Sequence, residues 1–367
     1  MVVMDDIYNP KVIIIIPIYN VENTIDQTLY SIINQTYINI DIIVSNNFST
    51  DQTSEILNKY LQHIEVISPK FHMNATDHVN FCIDYVKTKS VEYFAVFHGD
   101  DIYLPSIIEK QVAFLNINKE VPIIFTEGYF INHSSQVIGF CKSKKKSNLV
   151  SKYSFDDILY GNLSSSVTCL TPTMMARTVV YKNHPEFQFN LDVFGLAADY
   201  GLTLQITKCY GSVAIIHEML IQYRVSEHTA PKYMGGFNGR SPGFLLTDYY
   251  VGNGEDVYSK GFMWLAHYDR LKIQDNVRLI KRSIISNNLN TISIYVNENY
   301  FWGAFIVSFF SLNGVYNLSL ISLLKLLFLF NVSHKNIKRI INMTELTHIK
   351  IKSRKIRLFF RSLFEKE

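Results

Sequence analysis

An α/β fold with a mostly parallel, doubly wound sheet is what this chain predicts, and three observations predict it. Strand-like apolar runs alternate with segments of helical periodicity through residues 11–115. The run Tyr93-Phe94-Ala95-Val96-Phe97 is apolar throughout rather than alternating, as in a strand covered on both faces. Each run also ends in a polar cluster: Tyr19-Asn20, Asn46-Asn47, Ser68 onward, and Asp100-Asp101. Parallel strands joined by helical crossovers bring such tips to one edge of the sheet, which is where open α/β sheets bind ligands.

Taken in order, Lys11 is followed by five β-branched residues, Val12-Ile13-Ile14-Ile15-Ile16, and Pro17 ends a short central strand. Ile25, Leu29, Ile32 and Ile33 fall at helical spacing and predict a helix over 22–34. A second strand, Ile40 to Val44, runs into the polar cluster from Ser45 to Asp51. Ser49 with Gln52 has the form of a capping box, and Ile56, Leu57, Tyr60 and Leu61 supply the buried stripe of the helix that follows. The alternation continues through a strand at 64–67, a helix over 76–88, a strand ending at Phe97 and a helix from Pro105 to Leu115, with Pro105 suited to a first helical turn. Later residues are less regular: a hairpin over 128–140, a basic loop over 141–152, a short helix at 155–160, and extended segments at 168–181 and 212–223 around a helix at 196–209. Residues 230–256 hold six of the sixteen glycines, which suits a long loop, either a lid or a linker. From Val257 onward the pattern is helical.

This reading gives a first domain over 1–228, with halves at 1–117 and 118–228, a loop or linker over 229–256, and a helical region over 257–367. Hydrophobic residues make up 48% and charged residues 18%, which excludes a disordered chain. Cys82, Cys141, Cys169 and Cys209 form no metal-ligand spacing and suit a reducing cytoplasm. The acidic start and the early Pro17 do not resemble a signal peptide. Residues 335–367 carry ten basic and three acidic side chains, leaving 25 basic against 29 acidic elsewhere. A mildly acidic body argues against nucleic acid as a partner. Ile349, Ile356, Phe359, Phe360 and Leu363 share one face of the tail, so it can lie on an anionic membrane surface or pack on the domain. Val315 to Val332 approaches the length of a bilayer span, but Lys325 inside it favours a buried or interfacial helix.

The chemistry concentrates at Phe97-His98-Gly99-Asp100-Asp101. Two adjacent carboxylates at a strand end repel each other unless a cation or another positive partner joins them, so a divalent ion holding nucleotide phosphates is the working hypothesis. The plainer reading is that one Asp caps the next helix while the other is solvated.

The run Val12 to Asn20 with Glu22, the segment Ser31-Ile32-Ile33-Asn34-Gln35-Thr36, the segment Ile42 to Asp51 and the His98-Gly99-Asp100-Asp101 stretch together resemble the family 2 glycosyltransferases. That resemblance implies a GT-A fold and inverting transfer of a sugar from a nucleotide-sugar donor to a glycan or lipid-linked acceptor, of the bacterial polysaccharide type. It implies Mg²⁺ or Mn²⁺ as cofactor, with Asp100 as ligand, Asp101 assisting, and His228 a weaker metal or phosphate candidate. Nucleotide-binding positions carried over are Pro17, Tyr19, Asn20, Glu22, Asn46, Asn47, Ser49, His98, Gly99 and Arg224. Asn46 departs from the family's usual Asp and leaves the base open, since an amide offers both a donor and an acceptor. His98 stands where the motif's first Asp would be, either as a donor to ribose or phosphate or as a spacer. Gly195-Leu196-Ala197-Ala198-Asp199-Tyr200 resembles the segment that carries the catalytic base, which makes Asp199 that base. Arg224 would pair with phosphate or with a core carboxylate, and Thr171-Pro172-Thr173-Met174 would line the acceptor side.

Two other classes share parts of this pattern. A sugar-phosphate nucleotidylyltransferase needs a glycine-rich loop after the first strand, where this chain has Pro17-Ile18-Tyr19-Asn20. A non-catalytic sugar-nucleotide-binding protein would fit the departures at Asn46 and His98. A cytoplasmic protein, peripheral at the inner membrane face through its tail, is the expected location.

Overall fold

The computed structural model describes residues 9–143, 148–164, 166–225, 242–254 and 260–285. His228, most of the 229–256 loop, the 315–332 segment and the basic tail lie outside the described residues. The chain divides into two units, Met1–Met234 and Gly235–Glu367.

The first unit is built on one ten-stranded sheet. Its leading half holds β1 (Val12–Ile18), β2 (Ile40–Asn46), β3 (Glu65–Ile67) and β4 (Tyr93–Val96), alternating with α1 (Ile25–Ile33), α2 (Thr53–Leu57) and α3 (Ala75–Lys87). These four strands pair in parallel in the order β3-β2-β1-β4. Val12 to Ile16 are all within 2% of complete burial, as a central strand covered on both faces requires. Pro17 lies past the last rung between β1 and β4, so its missing N–H costs that side of the ladder nothing.

After β5 (Ile102–Tyr103) and α4 (Ile107–Ile117), the sheet becomes mixed. The hairpin expected over 128–140 is formed by β6 (Ile123–Ile131) and β7 (Val137–Cys141). Then come β8 (Val150–Ser154), α5 (Phe155–Ser164), β9 (Met175–Arg177), α6 (Thr178–Asn183), α7 (Leu191–Phe194), α8 (Ala198–Tyr210) and β10 (Ser212–Arg224). Strand β9 runs antiparallel between β4 and β6 and joins the two halves, while β10 runs parallel to β6. Buried Arg177 fixes this joint. Its guanidinium donates to the carbonyls of Leu115, Asn118 and Val121 and to the Tyr93 hydroxyl, closing the open C-terminal carbonyls of α4.

Three local expectations are corrected. Ser49 does not cap α2: the helix begins at Thr53, and the Ser49 hydroxyl instead accepts from the backbone N–H of Asn20 at 3.0 Å. Residues 168–181 are not one extended segment, because a 3₁₀ turn at Thr171–Thr173 and helix α6 flank the three-residue strand β9. Pro105 precedes α4 rather than entering it, and its carbonyl accepts from the Thr36 N–H.

In the second unit, Pro242–Gly252 forms helix α9 inside the glycine-rich stretch expected to be loop. Buried Leu246, Thr247 and Tyr250 recur at helical spacing there, a signal that the glycines mask. Phe262–Ile285 forms α10, and the Tyr268 hydroxyl donates to Asp248 of α9 at 2.9 Å. Among the described residues no helix is long and apolar enough to cross a membrane.

Candidate active site

Parallel pairing brings the ends of β1, β2 and β4 to one edge. At the tip of β1, Asn20 adopts φ +51°, a left-handed conformation that Asn tolerates better than most residues. Its side chain accepts from the Thr50 N–H at 2.8 Å. Around it, Val21 N–H donates to the Thr53 hydroxyl, Glu22 N–H to the Asp51 carboxylate, and Gln52 N–H to the Glu22 carboxylate. Asn20, Glu22 and Ser49 are thus engaged in stitching the first tip to the second. Phe48 is held at φ +62°, a strained conformation for a bulky residue, within this stitched loop.

Asn46 is turned into the same loop. Its Oδ1 accepts from the Ser49 N–H and its Nδ2 donates to the Ser54 hydroxyl, both at 3.0 Å. Asn47 instead lies against residues 72–74, with both ends of its amide bonded to the Met73 backbone.

The tip of β4 is built differently. The carbonyls of Gly99, Asp100 and Asp101 accept from Thr24 Oγ1 (3.0 Å), Arg224 Nε (2.8 Å) and Thr28 Oγ1 (2.7 Å). The His98 N–H donates to the Tyr103 hydroxyl, and the Tyr103 ring stacks on Phe97 with centroids 3.7 Å apart. Gly99 is required for close approach, since a Cβ there would meet Ile18 Cγ2 at 2.6 Å. With its backbone pinned by neighbouring elements, this loop leaves its side chains for other work.

Arg224 does part of that pinning. Its guanidinium also reaches the Asn132 and His133 carbonyls, the Ser135 hydroxyl and Gln27 Oε1, and its backbone N–H donates to Asp101 Oδ1 at 2.7 Å. It is buried and consumed by these partners, so the geometry makes it a clamp on the acidic loop rather than a phosphate ligand.

One atom in this loop lacks a partner. Asp101 is fully buried, and its Oδ2 accepts no hydrogen bond among the described residues, facing His98 Nδ1 at 3.8 Å. Burial, and then the Asp100 charge, push the Asp101 carboxyl well above the usual carboxylate range. His98, Asp100 and Asp101 can each direct one ligand atom to within 4.8 Å of the others. An orphaned carboxylate oxygen beside a second carboxylate and an imidazole fits a divalent cation, with oxygen donors suited to Mg²⁺ or Mn²⁺.

A cleft of about 390 Å³ runs from this loop along the tip of β1. Of the sequence candidates, Pro17, Tyr19, Asn47, His98, Gly99 and Asp100 line it. Reading the sequence missed His72, Met73, Asn74 and His78, which also line it. Their signal is the third strand tip, the polar stretch from Ser68 onward.

Asp199 sits in the first turn of α8. Its Oδ2 accepts from Thr171 Oγ1 at 2.7 Å and its Oδ1 from the Tyr200 N–H at 2.8 Å. Burial raises its pKa, and these two bonds partly offset the rise. Burial also lowers His98, against which the charges of Asp100 and Asp199 both act. Tyr223 feels Asp101, Asp100 and Asp199 together. Asp199, 98 positions away from Asp101 in the sequence, is therefore within electrostatic reach of the acidic loop.

A mixed sheet with flanking helices, an aromatic-walled cleft and an acidic loop on one edge is the GT-A architecture of glycosyltransferases. A family model described as Glycosyl transferase family 2 matches residues 13–181. An uncharacterized glycosyltransferase of Rickettsia typhi is 30% identical over 244 residues, covering 65% of this chain and 72% of the relative. Another, of Haemophilus influenzae, is 32% identical over 223 residues, covering 59% of this chain and 66% of that relative's length. Among solved structures, Staphylococcus aureus TarS superposes with a TM-score of 0.50 at 16% identity over 77% of this chain and 54% of that one. Its fragment 1-349 in complex with UDP-GlcNAc does so with a TM-score of 0.50 at 14% identity, over 78% and 90%. The structural likeness shows the fold, and the sequence relatives show the family: the chain belongs to glycosyl transferase family 2.

Proposed function

We propose that this glycosyltransferase performs metal-dependent, inverting transfer from a nucleoside diphosphate sugar to a hydroxyl of a glycan or lipid-linked acceptor, in polysaccharide synthesis. The observation that carries the reading is the electrostatic reach of buried Asp199 to His98 in the acidic loop, which links two carboxylate systems from distant parts of the chain. TarS of the same fold, solved with UDP-GlcNAc, supports a nucleotide-sugar donor.

In this mechanism the diphosphate lies at the Asp100 end of the cleft and the base at the Tyr19 end. Asp199 takes the acceptor hydroxyl proton as the oxygen attacks the anomeric carbon. The bond from that carbon to the diphosphate breaks, and the nucleoside diphosphate leaves from the opposite face. Burial raises the Asp199 pKa, which suits a general base, and Thr171 orients it. A divalent cation held by Asp100 and Asp101 would neutralise the charge of the departing diphosphate. The amphipathic tail would hold the enzyme at the inner face of a membrane, which deletion of residues 335–367 tests by membrane fractionation.

The test of the reaction is release of nucleoside diphosphate from UDP-sugars with Mn²⁺. Asp199→Asn is expected to lower turnover by roughly 10²–10⁴-fold, the usual contribution of a general base, while UDP affinity stays unchanged. Full turnover in that variant would remove Asp199 from the mechanism. Nucleotide binding without turnover in the unaltered protein would mark it as a binding protein.

A further inference from the structure

The end of the cleft away from the acidic loop carries its own chemistry. There the rings of Tyr19 and His72 meet with centroids 4.7 Å apart and planes tilted by 55°. His72 Nδ1 lies 3.0 Å from the Asn47 carbonyl oxygen. A carbonyl can only accept, so Nδ1 carries the hydrogen, and in the neutral ring Nε2 is left with a lone pair and no proton. No partner for Nε2 occurs among the described residues.

Neighbouring amides are already held by other partners. Both ends of Asn47 are bonded to the Met73 backbone, and Asn74 accepts from the Asp77 N–H while donating to its carboxylate. Asn46, the position from which base reading was expected, is spent on Ser49 and Ser54. His72 Nε2 is an acceptor at this end of the cleft with no hydrogen-bond partner among the described residues.

We propose that His72 determines donor specificity, its Nε2 accepting the ring N3–H of a uracil or thymine base stacked against Tyr19, so that the donor is a uridine or thymidine diphosphate sugar rather than a cytidine one. This rests on the cleft holding a nucleoside diphosphate, as proposed above. Cytosine has the same ring shape as uracil, but its N3 is itself an acceptor and would set two lone pairs against each other. The discrimination therefore lies in one hydrogen atom.

Calorimetric titration of UDP, dTDP and CDP in Mn²⁺ tests it, on the unaltered protein and on His72→Phe and Asn46→Ala. His72→Phe keeps an aromatic ring and removes the lone pair, and His72 is exposed, so the fold should survive. The unaltered protein is expected to bind UDP and dTDP at least tenfold more tightly than CDP. His72→Phe should bring the three within about threefold by weakening UDP and dTDP, and Asn46→Ala should preserve the preference. Retention of the preference in His72→Phe, its loss in Asn46→Ala alone, or a preference for CDP in the unaltered protein would each overturn the role of His72. If none of the three nucleotides binds the unaltered protein, the nucleotide reading of the cleft itself fails.

Discussion

The tips of β2 and β4 stand at equivalent places on one sheet edge, yet they spend their polar groups in opposite ways. At β2, Asn46 uses its own side chain to hold its own loop, bonding Ser49 and Ser54. At β4, outside groups from Thr24, Thr28 and Arg224 hold the backbone, and the carboxylates of Asp100 and the Oδ2 of Asp101 are left over. A side chain is available to a ligand when the loop it stands on is fixed by something else. The contrast explains why two polar tips that look equally promising in sequence contribute unequally to the cleft.

The largest test of the contrast is removal of the β4 clamp. Arg224→Ala strips hydrogen-bond donors from the carbonyls of Asp100, Asn132 and His133 and from Gln27, and losing these part-buried bonds together costs about 3 kcal/mol of stability. Denaturant titration should show that loss. Arg224→Lys should recover little of it, since one ammonium cannot reproduce the planar fork. Unchanged stability in Arg224→Ala would mean that the loop holds itself.

A smaller effect is expected at His78 beneath the β2 tip. The ring is 3% exposed and Nε2 lies 2.8 Å from Ser45 Oγ. Burial first, and then His72, push its pKa down to about 4. A group with a lowered folded pKa binds fewer protons folded than unfolded, so the fold loses stability as pH falls through the window from the ordinary value of about 6.5 toward 4. Between pH 7 and 5.5 the loss assignable to His78 is about 1 kcal/mol, and His78→Gln should flatten the stability-against-pH curve by that amount.

The smallest effect is expected at Asn46. Asn46→Ala removes two loop hydrogen bonds and should cost about 1 kcal/mol, with nucleotide affinity changed less than threefold. A large loss of affinity with unchanged stability would reverse the assignment of this tip to scaffolding.

Much of this was readable in the chain because it is local. Five β-branched residues ending at Pro17 make β1, and the acidic pair following an apolar run makes the β4 tip. Helix periodicity found α1, α3 and α8 within a few residues. What could not be read depends on contacts between distant residues. Arg224 reaches Gln27 across 197 positions and Asp100 across 124, so no spacing announces it as a clamp. The direction of the Asn46 side chain is decided by which neighbours reach it first, which composition does not encode. His72 and His78 look ordinary in sequence and gain meaning only when β3 delivers the segment after it to the same edge as Tyr19. The mixed second half, with short β9 antiparallel between β4 and β6, follows from tertiary pairing that a three-residue strand cannot signal alone.

The claim on which the rest depends is that the free carboxylates of the β4 tip hold a cation for a nucleotide diphosphate. Calorimetric titration of UDP with and without Mn²⁺, on the unaltered protein and on Asp100→Asn, tests it most directly. Binding at least tenfold tighter with Mn²⁺ in the unaltered protein, and equal binding with and without Mn²⁺ in Asp100→Asn, is the predicted result. UDP affinity that is indifferent to Mn²⁺ in the unaltered protein, or a Mn²⁺ effect that survives in Asp100→Asn, would contradict it.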